Sequence, residues 1–306
     1  MKLKEQMTCA LLGFAAFLLV ACGSDDTDSP QQPEGGETPV ENNRMAVNIV
    51  TRAEGDEVGG SGSPVGLYMV NDVNGLQSPL MADGNYVNNL RMNYADGAWV
   101  PSSPIYWLDT NVNADFYAYA PFVEQVGDAR SMVFRVETDQ TTDEGFRKSD
   151  LLWGTAQGLS PLDNGISLTL THQLSWLTVV VTPGAGFSEG ELKTGDVTVA
   201  IGGSKTLGTI DLQSGMVTAK GEVADVRCRD NGDLTFTAIL LPQQIAFSNL
   251  VKVDWNGNNY TLQNSFLLEA KRQYRLTIRL NKTQGGLDIG ISGWDIIDED
   301  FGGIVG

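Results

Sequence analysis

The sequence predicts an all-β protein, and three observations lead to this fold class. Apolar and polar residues alternate with a period of two, as in Val197-Thr198-Val199-Ala200-Ile201 and in residues 274–280. Clusters of Gly, Asn and Asp separate such segments every ~8–12 residues, a spacing typical of β-sandwiches. After the first 21 residues, no long segment carries apolar residues at helical spacing between capping residues.

The first residues predict an exported lipoprotein. Residues 1–21 combine a basic start with an uncharged apolar stretch, and that stretch is shorter than the about 20 residues needed to span a bilayer. This is the pattern of a secretory signal peptide. The residues Leu19-Val20-Ala21-Cys22 resemble the lipobox of bacterial lipoproteins, in which Cys22 is the site of lipid attachment. The alternative is an ordinary signal peptide followed by a chance cysteine.

Residues 22–44 predict a flexible tether. Gly23-Ser24-Asp25-Asp26-Thr27-Asp28 resembles the acidic tag that Bacteroidetes lipoproteins carry to the outer cell surface, although acidic, Ser-rich stretches are also simply soluble. The following stretch is rich in Pro and Gly and poor in apolar residues. Such a composition indicates an unfolded spacer that lifts the folded part from the membrane.

The chain is strongly acidic, with a formal net charge of −18 that becomes −19 when two lysines and one glutamate leave with residues 1–21. A surface of this charge repels phosphate backbones, so we expect no nucleic-acid partner. Of the three cysteines, Cys9 leaves with the signal and Cys22 carries lipid. Cys228 then stands alone, and no disulfide framework is expected.

The remaining chain is long enough for two domains with full cores. Linker composition at 159–165 places the start of the second domain near Gly165, which divides the folded part into residues 45–164 and 165–306. In the strand that follows, apolar residues occupy even positions up to Trp176 and odd positions from Leu177. Because side chains alternate along a strand, this change requires a bulge or burial on both faces.

Several short motifs are interpreted as turns. The run Asn256-Gly257-Asn258-Asn259 predicts a hairpin, and so does Ser214-Gly215. The run Gly202-Gly203-Ser204-Lys205-Thr206 lacks the residue order and the following helix of a phosphate loop, so we expect a hairpin turn there. The run Asp230-Asn231-Gly232-Asp233 lacks the glutamate that closes a calcium loop and is also interpreted as a turn.

No motif predicts catalysis. His172, the only histidine, lies on the apolar face of a predicted strand, which favours a hydrogen-bonded core residue over a catalyst. One histidine and one free cysteine do not suit a zinc site, and a Ser-His-Asp site would lack its Gly-x-Ser-x-Gly elbow. Acidic residues are too common for a pair of glycosidase carboxylates to be recognised. We expect no catalytic residue, no metal and no cofactor.

Aromatic residues cluster at Tyr106-Trp107 and Phe116-Tyr117-Ala118-Tyr119. Exposed aromatic rings could stack on sugars in a glycan-binding protein. The alternation of Phe116 and Ala118 with the two tyrosines instead favours a strand buried on at least one face.

The chain resembles the fimbrillin family, the lipoprotein pilins of Bacteroides-type bacteria. The landmarks, in order, are Thr51-Arg52-Ala53, Tyr106-Trp107, Asp115-Phe116-Tyr117-Ala118-Tyr119-Ala120-Pro121, Asp150-Leu151-Leu152-Trp153-Gly154, His172-Gln173-Leu174-Ser175, Leu240-Leu241-Pro242-Gln243, Gln273-Tyr274-Arg275-Leu276 and Ile291-Ser292-Gly293-Trp294. Together they extend over residues ~45 to 295.

The resemblance implies two tandem transthyretin-like antiparallel β-sandwich domains and a structural subunit of major or minor fimbriae. It also implies export to the outer membrane, followed by a cut made by an Arg-specific, trypsin-like protease that removes the lipidated leader and the first strand. The vacated groove would then accept a C-terminal strand from another fimbrial subunit. Adhesion to a host or bacterial surface is the expected role of the fimbria.

The residues are compatible with this scheme. Met45, Val47 and Ile49 alternate up to Arg52, as expected of an edge strand, and an acidic, Gly/Ser-rich stretch after Arg52 makes a cut there accessible. Arg44 is an alternative processing site that would leave the strand in place.

The expected donor strand is the tail at 295–306, whose apolar residues could fill the pockets of a groove: Ile296, Ile297, Phe301, Ile304 and Val305. Alternatively, the first strand is permanent and the tail closes its own domain. The rival functions are a membrane-retained fimbrial anchor, a glycan-binding surface lipoprotein and a hydrolase with paired carboxylates.

Overall fold

The computed structural model describes residues 46–47, 49–53, 63–95, 98–163, 165–282 and 289–300, with only the backbone described at 49–53, 98, 189, 282 and 289–300. The all-β prediction is confirmed. The strands are β1 (Ile49–Ala53), β2 (Val65–Asn71), β3 (Val87–Ala95), β4 (Ala98–Pro101), β5 (Ala114–Ala120), β6 (Met132–Arg135), β7 (Leu152–Leu159), β8 (Ile166–His172), β9 (Ser175–Pro183), β10 (Val197–Asp211), β11 (Met216–Arg227), β12 (Arg229–Asp230), β13 (Thr235–Leu240), β14 (Gln243–Trp255), β15 (Asn258–Leu268), β16 (Arg272–Lys282) and β17 (Ile289–Asp300).

These strands form three sheets. The first has seven strands in the order β1-β8-β7-β5-β2-β3-β4. The second has the order β11-β10-β14-β15, with β6 also paired to β10, and the third has the order β12-β13-β9-β16-β17. Neighbouring strands are antiparallel except in the pairs β1/β8 and β9/β16, which are parallel.

Two short α-helices interrupt the strands, although the sequence indicated no helix. They are α1 (Asp143–Lys148) and α2 (Glu189–Thr194). Each is capped by a hydroxyl, because Thr142 Oγ1 accepts the N–H of Gly145 and Ser188 Oγ accepts that of Glu191. Six residues are too few to show a helical period in the sequence. No helix in the described part of the chain is long and apolar enough to cross a membrane.

Three of the four predicted turns occur as turns. Asn256 and Gly257 join β14 to β15 with φ values of 50° and 81°, as a two-residue hairpin turn requires. Gly215 lies between β10 and β11, and Asp233 between β12 and β13. The hairpin turn predicted at residues 202–206 is wrong.

Gly202 and Gly203 lie inside β10, where the pairing with β11 shifts register between Ile201 and Ser204. Gly203 has φ 70° and forms part of a β-bulge. Glycine serves a bulge as well as a turn, so the local sequence could not separate the two.

The two five-stranded sheets enclose one core. Its buried residues alternate along β9, β10, β13, β14 and β16, as in Leu177, Val179 and Val181. The seven-stranded sheet surrounds a second core, which includes the aromatic residues Trp99, Trp107 and Phe116. β5 is buried on both faces, because Phe116 and Ala118 belong to this second core whereas Tyr117 and Tyr119 belong to a third.

The change of parity at Trp176 reflects burial on both faces of β9, because Trp176 packs against one buried cluster and Leu177 belongs to another. The chain passes between sheets just before this point, between β8 and β9. β8 pairs with β7 and β1 in the seven-stranded sheet, whereas β9 pairs with β13 and β16. The division near Gly165 would separate β8 from its own sheet. We therefore propose that the boundary between the two sandwiches lies after β8, at Gln173 and Leu174. From Asn43 onward the chain forms one compact unit, so the parts on either side of that proposed boundary are in contact.

Candidate strand-exchange site

The N-terminal strand lies at an edge of the seven-stranded sheet. β1 pairs with β8 in parallel, with Ile49 opposite Ile166 and Arg52 opposite Thr169. Val47 precedes β1 and is 8% exposed. β1 therefore completes the sheet edge on which the sequence placed strand exchange.

The backbone of β1 has a defined register against β8. Ile49, Thr51 and Ala53 lie opposite the buried residues of β8, and Val50 and Arg52 lie opposite its exposed residues Ser167 and Thr169. Met45, Arg44 and Cys22 lie outside the described residues.

The segment before β1 pairs with a different part of the chain. The backbone N–H of Val47 donates to the carbonyl oxygen of Ile105 at 2.9 Å, and Ala46 forms a β-bridge with Tyr106. β4, the strand at the other edge of the sheet, lies next to β1. The first strand therefore lies in a seam between β8 on one side and residues 98–106 on the other.

The core beneath this seam is apolar. Val47 belongs to a buried cluster with residues from both sides of the seam, namely Trp99, Ile105, Trp107, Ile166, Leu168 and Leu170. The apolar alternation of β8 was visible in the sequence. The contributions of Trp99 and Ile105 were missed, because nothing in their local sequence indicates which strand they would meet.

Of the C-terminal residues predicted for strand exchange, some lie in β17 and the others lie outside the described residues. Ile296 and Ile297 lie in β17, which pairs antiparallel with β16 and places them opposite Leu276 and Arg275. Phe301, Ile304 and Val305 lie outside the described residues. β17 forms the edge of the third sheet, so the predicted acceptor and donor belong to different sheets of the chain.

His172 occupies the core position that the sequence predicted. Its Nδ1 shares a hydrogen bond of 2.7 Å with Asp150 Oδ1, and both residues are 4% exposed. Asp150 follows α1, and His172 ends β8, so this contact ties the helix to the seven-stranded sheet. The buried pair has the geometry of a structural contact and is not exposed to a substrate.

Cys228 is also buried, and burial raises the pKa of its thiol well above the usual range. A thiol without an accessible thiolate form is a poor nucleophile and a poor metal ligand. Among the described residues, no cluster of His, Cys, Asp and Glu could hold a metal ion.

Four of the aromatic residues in the predicted cluster are buried and do not form a sugar-binding platform, whereas Tyr106 is half-buried. Trp107, Phe116, Tyr117 and Tyr119 are each at most 4% exposed. The hydroxyl of Tyr119 donates to Asn89 Oδ1 at 2.8 Å, and burial raises the pKa of Tyr119 to about 12. Because their faces are covered by other side chains, these rings cannot stack on a glycan.

A cavity of about 410 Å³ opens beside the start of β10. Its charged lining includes Asp196, Asp254, Arg227 and Lys252. Arg227 forms an ion pair with Asp139 at 2.9 Å, and Lys252 forms one with Asp225. The two cations of the cavity are thus neutralised by carboxylates, an arrangement typical of a solvated surface.

Residues 51–294 match the model of the family described as fimbrillin-like. No curated protein matches the chain. A candidate cell adhesion protein from Bacteroides uniformis has a similar structure, with a TM-score of 0.63 and 19% identity over 85% of this chain and 99% of that chain. A second candidate cell adhesion protein, from Bacteroides ovatus, has a TM-score of 0.61 and 14% identity over 82% and 97%.

At these identities the structural similarities show the fold alone. The family model, in contrast, matches most of the chain, from Thr51 within β1 to Trp294 within β17, and includes both cores between them. The chain belongs to the fimbrillin-like family.

Proposed function

We propose that this protein is a structural fimbrial subunit that is exported as a lipoprotein on Cys22 and assembled by strand exchange. An Arg-specific, trypsin-like protease cuts after Arg52, and the processed chain joins other fimbrial subunits at the cell surface. The fimbria then serves adhesion to a host or bacterial surface. The subunit acts by assembly and carries out no reaction of its own.

One observation carries this proposal: β1 completes a sheet edge, and Arg52 is its next-to-last residue. A cut after Arg52 releases everything from Cys22 to that residue, including Val47 and most of β1. The backbone groups of β8 then lose their partners, and the apolar cluster beneath the seam meets water. An added strand that pairs with β8 and covers the cluster restores the backbone hydrogen bonds and removes the apolar surface from water.

The structure narrows the choice of donor. Ile296 and Ile297 lie in a strand that already pairs with β16, and they can be donated only if β17 leaves that position. We therefore propose that the residues beyond Asp300, with Phe301, Ile304 and Val305, form the donor strand that enters the neighbouring subunit. β17 then remains the last strand of its own sandwich.

The mature N-terminus tests the processing step. We expect protein taken from the native cell surface to begin at Ala53 and to carry no lipid, as measured by intact mass. Arg52→Ala should give an acylated chain that begins at Cys22 and does not polymerise. Arg44→Ala is the matched control and should be processed normally. An acylated wild-type chain would instead identify a membrane-retained anchor subunit.

Two truncations test the donor. Removal of residues 301–306 should abolish polymer formation and leave the thermal stability of the monomer unchanged. Removal of residues 289–306 should also lower the free energy of unfolding by several kcal/mol, because a row of buried side chains on β16 loses its neighbouring strand. Normal assembly of the shorter truncation, measured by electron microscopy, would contradict the proposal.

A further inference from the structure

Residues 129–149, here named the clasp segment, precede β7 in the chain but pack against the C-terminal sandwich. β10 is longer than its neighbour β14 and pairs with it only from Val197 to Ile201. β6, within the clasp segment, pairs with the later part of the same edge, from Leu207 to Ile210. A strand from the N-terminal part of the chain thus completes a sheet of the C-terminal sandwich.

The N-terminal end of the clasp segment is tied to the end of β10. The guanidinium of Arg130 donates from Nε to Asp211 Oδ1 at 2.8 Å and from Nη2 to Asp211 Oδ2 at 3.1 Å. The backbone N–H of Leu212 donates to the carbonyl oxygen of Ala129 at 3.0 Å. A two-point arginine–carboxylate pair defines direction as well as distance, so this end is held in one orientation.

A buried amide ties the middle of the clasp segment to β13. The side chain of Gln140 is fully buried; its Oε1 accepts the N–H of Ile239, and its Nε2 donates to the carbonyl oxygen of Ile239, both at 2.8 Å. Gln140 therefore pairs with a residue of the third sheet as a neighbouring strand would. Removing this amide leaves two main-chain groups of Ile239 without these partners in a dry environment.

The helix at the end of the clasp segment completes the attachment. The ring of Phe146 meets the ring of Trp176 edge to face with centroids 5.1 Å apart, and the guanidinium of Arg229 lies 5.1 Å above the Phe146 ring. Arg229 also pairs with Asp143 at 2.8 Å. The helix α1 is thus attached to both β9 and β12.

A buried apolar cluster continues across the same junction. It joins residues of the seven-stranded sheet, the clasp segment and the C-terminal sandwich, including Tyr68, Tyr117, Tyr119, Met132, Phe134, Phe146, Leu174, Ile210, Leu212, Ile239 and Leu241. Separating the two sandwiches would expose this cluster and break the β6/β10 ladder in a single event. The cost of separation is therefore comparable to the cost of opening a core.

We propose that the clasp segment makes the two β-sandwiches one cooperative unit, so that neither opens fully while the other remains folded. This inference concerns the isolated chain and does not depend on fimbrial assembly. It assigns Gln140 and Arg130 the role of coupling the sandwiches, in addition to stabilising their own surroundings.

Native-state hydrogen exchange on residues 23–306 resolves the two sandwiches separately. Amides that exchange only by global opening in β5 and in β16 should have opening constants equal within about threefold. In Gln140→Ala those constants should differ by about tenfold or more, because the link to Ile239 is lost. Gln157→Ala is the matched control: its Nε2 donates to the Tyr117 hydroxyl within the seven-stranded region, and the two constants should stay equal.

If Gln140→Ala does not fold, Arg130→Ala replaces it, since Arg130 lies on the exposed rim of the junction. If the opening constants of β5 and β16 differ by about tenfold or more in the wild-type protein, the two sandwiches unfold independently and the proposal is overturned. Equal opening constants in both Gln140→Ala and Arg130→Ala would overturn the coupling role assigned to these two side chains.

Discussion

β1 and β6 are both short strands that complete a sheet edge, yet they are attached to the fold in different ways. β1 pairs with β8 over five residues close to the N-terminus of the folded unit. β6 pairs with β10 over four residues, and the chain on both sides of it is fixed again, by Arg130 and by Gln140. Length of pairing therefore does not distinguish the two strands.

The difference lies in what else must break when the strand leaves. Releasing β1 after a cut at Arg52 requires the loss of its ladder with β8, of the main-chain contacts that Ala46 and Val47 make with residues 105–106, and of the buried position of Val47. Releasing β6 requires the loss of its ladder, a two-point ion pair, a buried amide pair and an aromatic contact. A strand at the end of a folded unit has fewer contacts to lose than a strand that is anchored on both flanks.

The largest expected effect comes from removing β1. A chain that starts at Ala53 should lose about 5 kcal/mol or more of unfolding free energy relative to one that starts at Asn43, because Val47 loses its buried site and the β1/β8 hydrogen bonds are lost. A synthetic peptide of residues 43–52 should restore the loss, as followed by thermal unfolding. The control peptide carries Val47→Asp and should not bind. Equal stability of the two chains would show that β1 is not part of the folded edge.

The next effect concerns β6. Phe134→Ala should lower the free energy of unfolding by about 3–5 kcal/mol, since it leaves a cavity in the cluster between the sandwiches. Val133→Ala is the matched control on the same strand, where the side chain is 55% exposed, and it should change stability by less than about 0.5 kcal/mol. Chemical denaturation measures both. A small effect of Phe134→Ala would mean that β6 is as replaceable as β1.

The smallest expected effect is a pH dependence of the free energy of unfolding, caused by Asp211, which pairs with the clasp segment. Burial alone raises the pKa of Asp211, but the ion pair with Arg130 and the hydrogen bonds from Gln213 and Ser214 outweigh it and lower the pKa below its ordinary value of 3.8. The stabilisation from this carboxylate is therefore present above pH 3.8 and is lost as the pH falls through the lower, folded-state pKa.

The comparison of wild type with Asp211→Asn isolates this contribution. The wild type should be more stable at about pH 7 by less than about 1 kcal/mol, because the pair is partly exposed and screened by solvent. The difference should disappear in strong acid. A difference that grows as the pH falls would contradict the assigned direction.

Local sequence was sufficient where one short segment carries the whole signal. The alternation in 197–201 and 274–280 predicted strands, and Asn256-Gly257 predicted its hairpin, because backbone preferences of adjacent residues decide these features. His172 was interpreted as a core residue on the same basis. The alternation of Val47 and Ile49 up to Arg52 likewise predicted a strand, and β1 includes the last part of that segment.

The sequence alone determined the fold class, the turn at Asn256-Gly257 and the resemblance that the family match confirms. Only the tertiary structure decided that β8 stays with the N-terminal sheet, that β6 completes β10, and that Gly202 and Gly203 form a bulge. The physical reason is that side-chain alternation specifies a strand and its buried face, but the identity of its neighbour depends on backbone groups and apolar surfaces that lie far away in the chain.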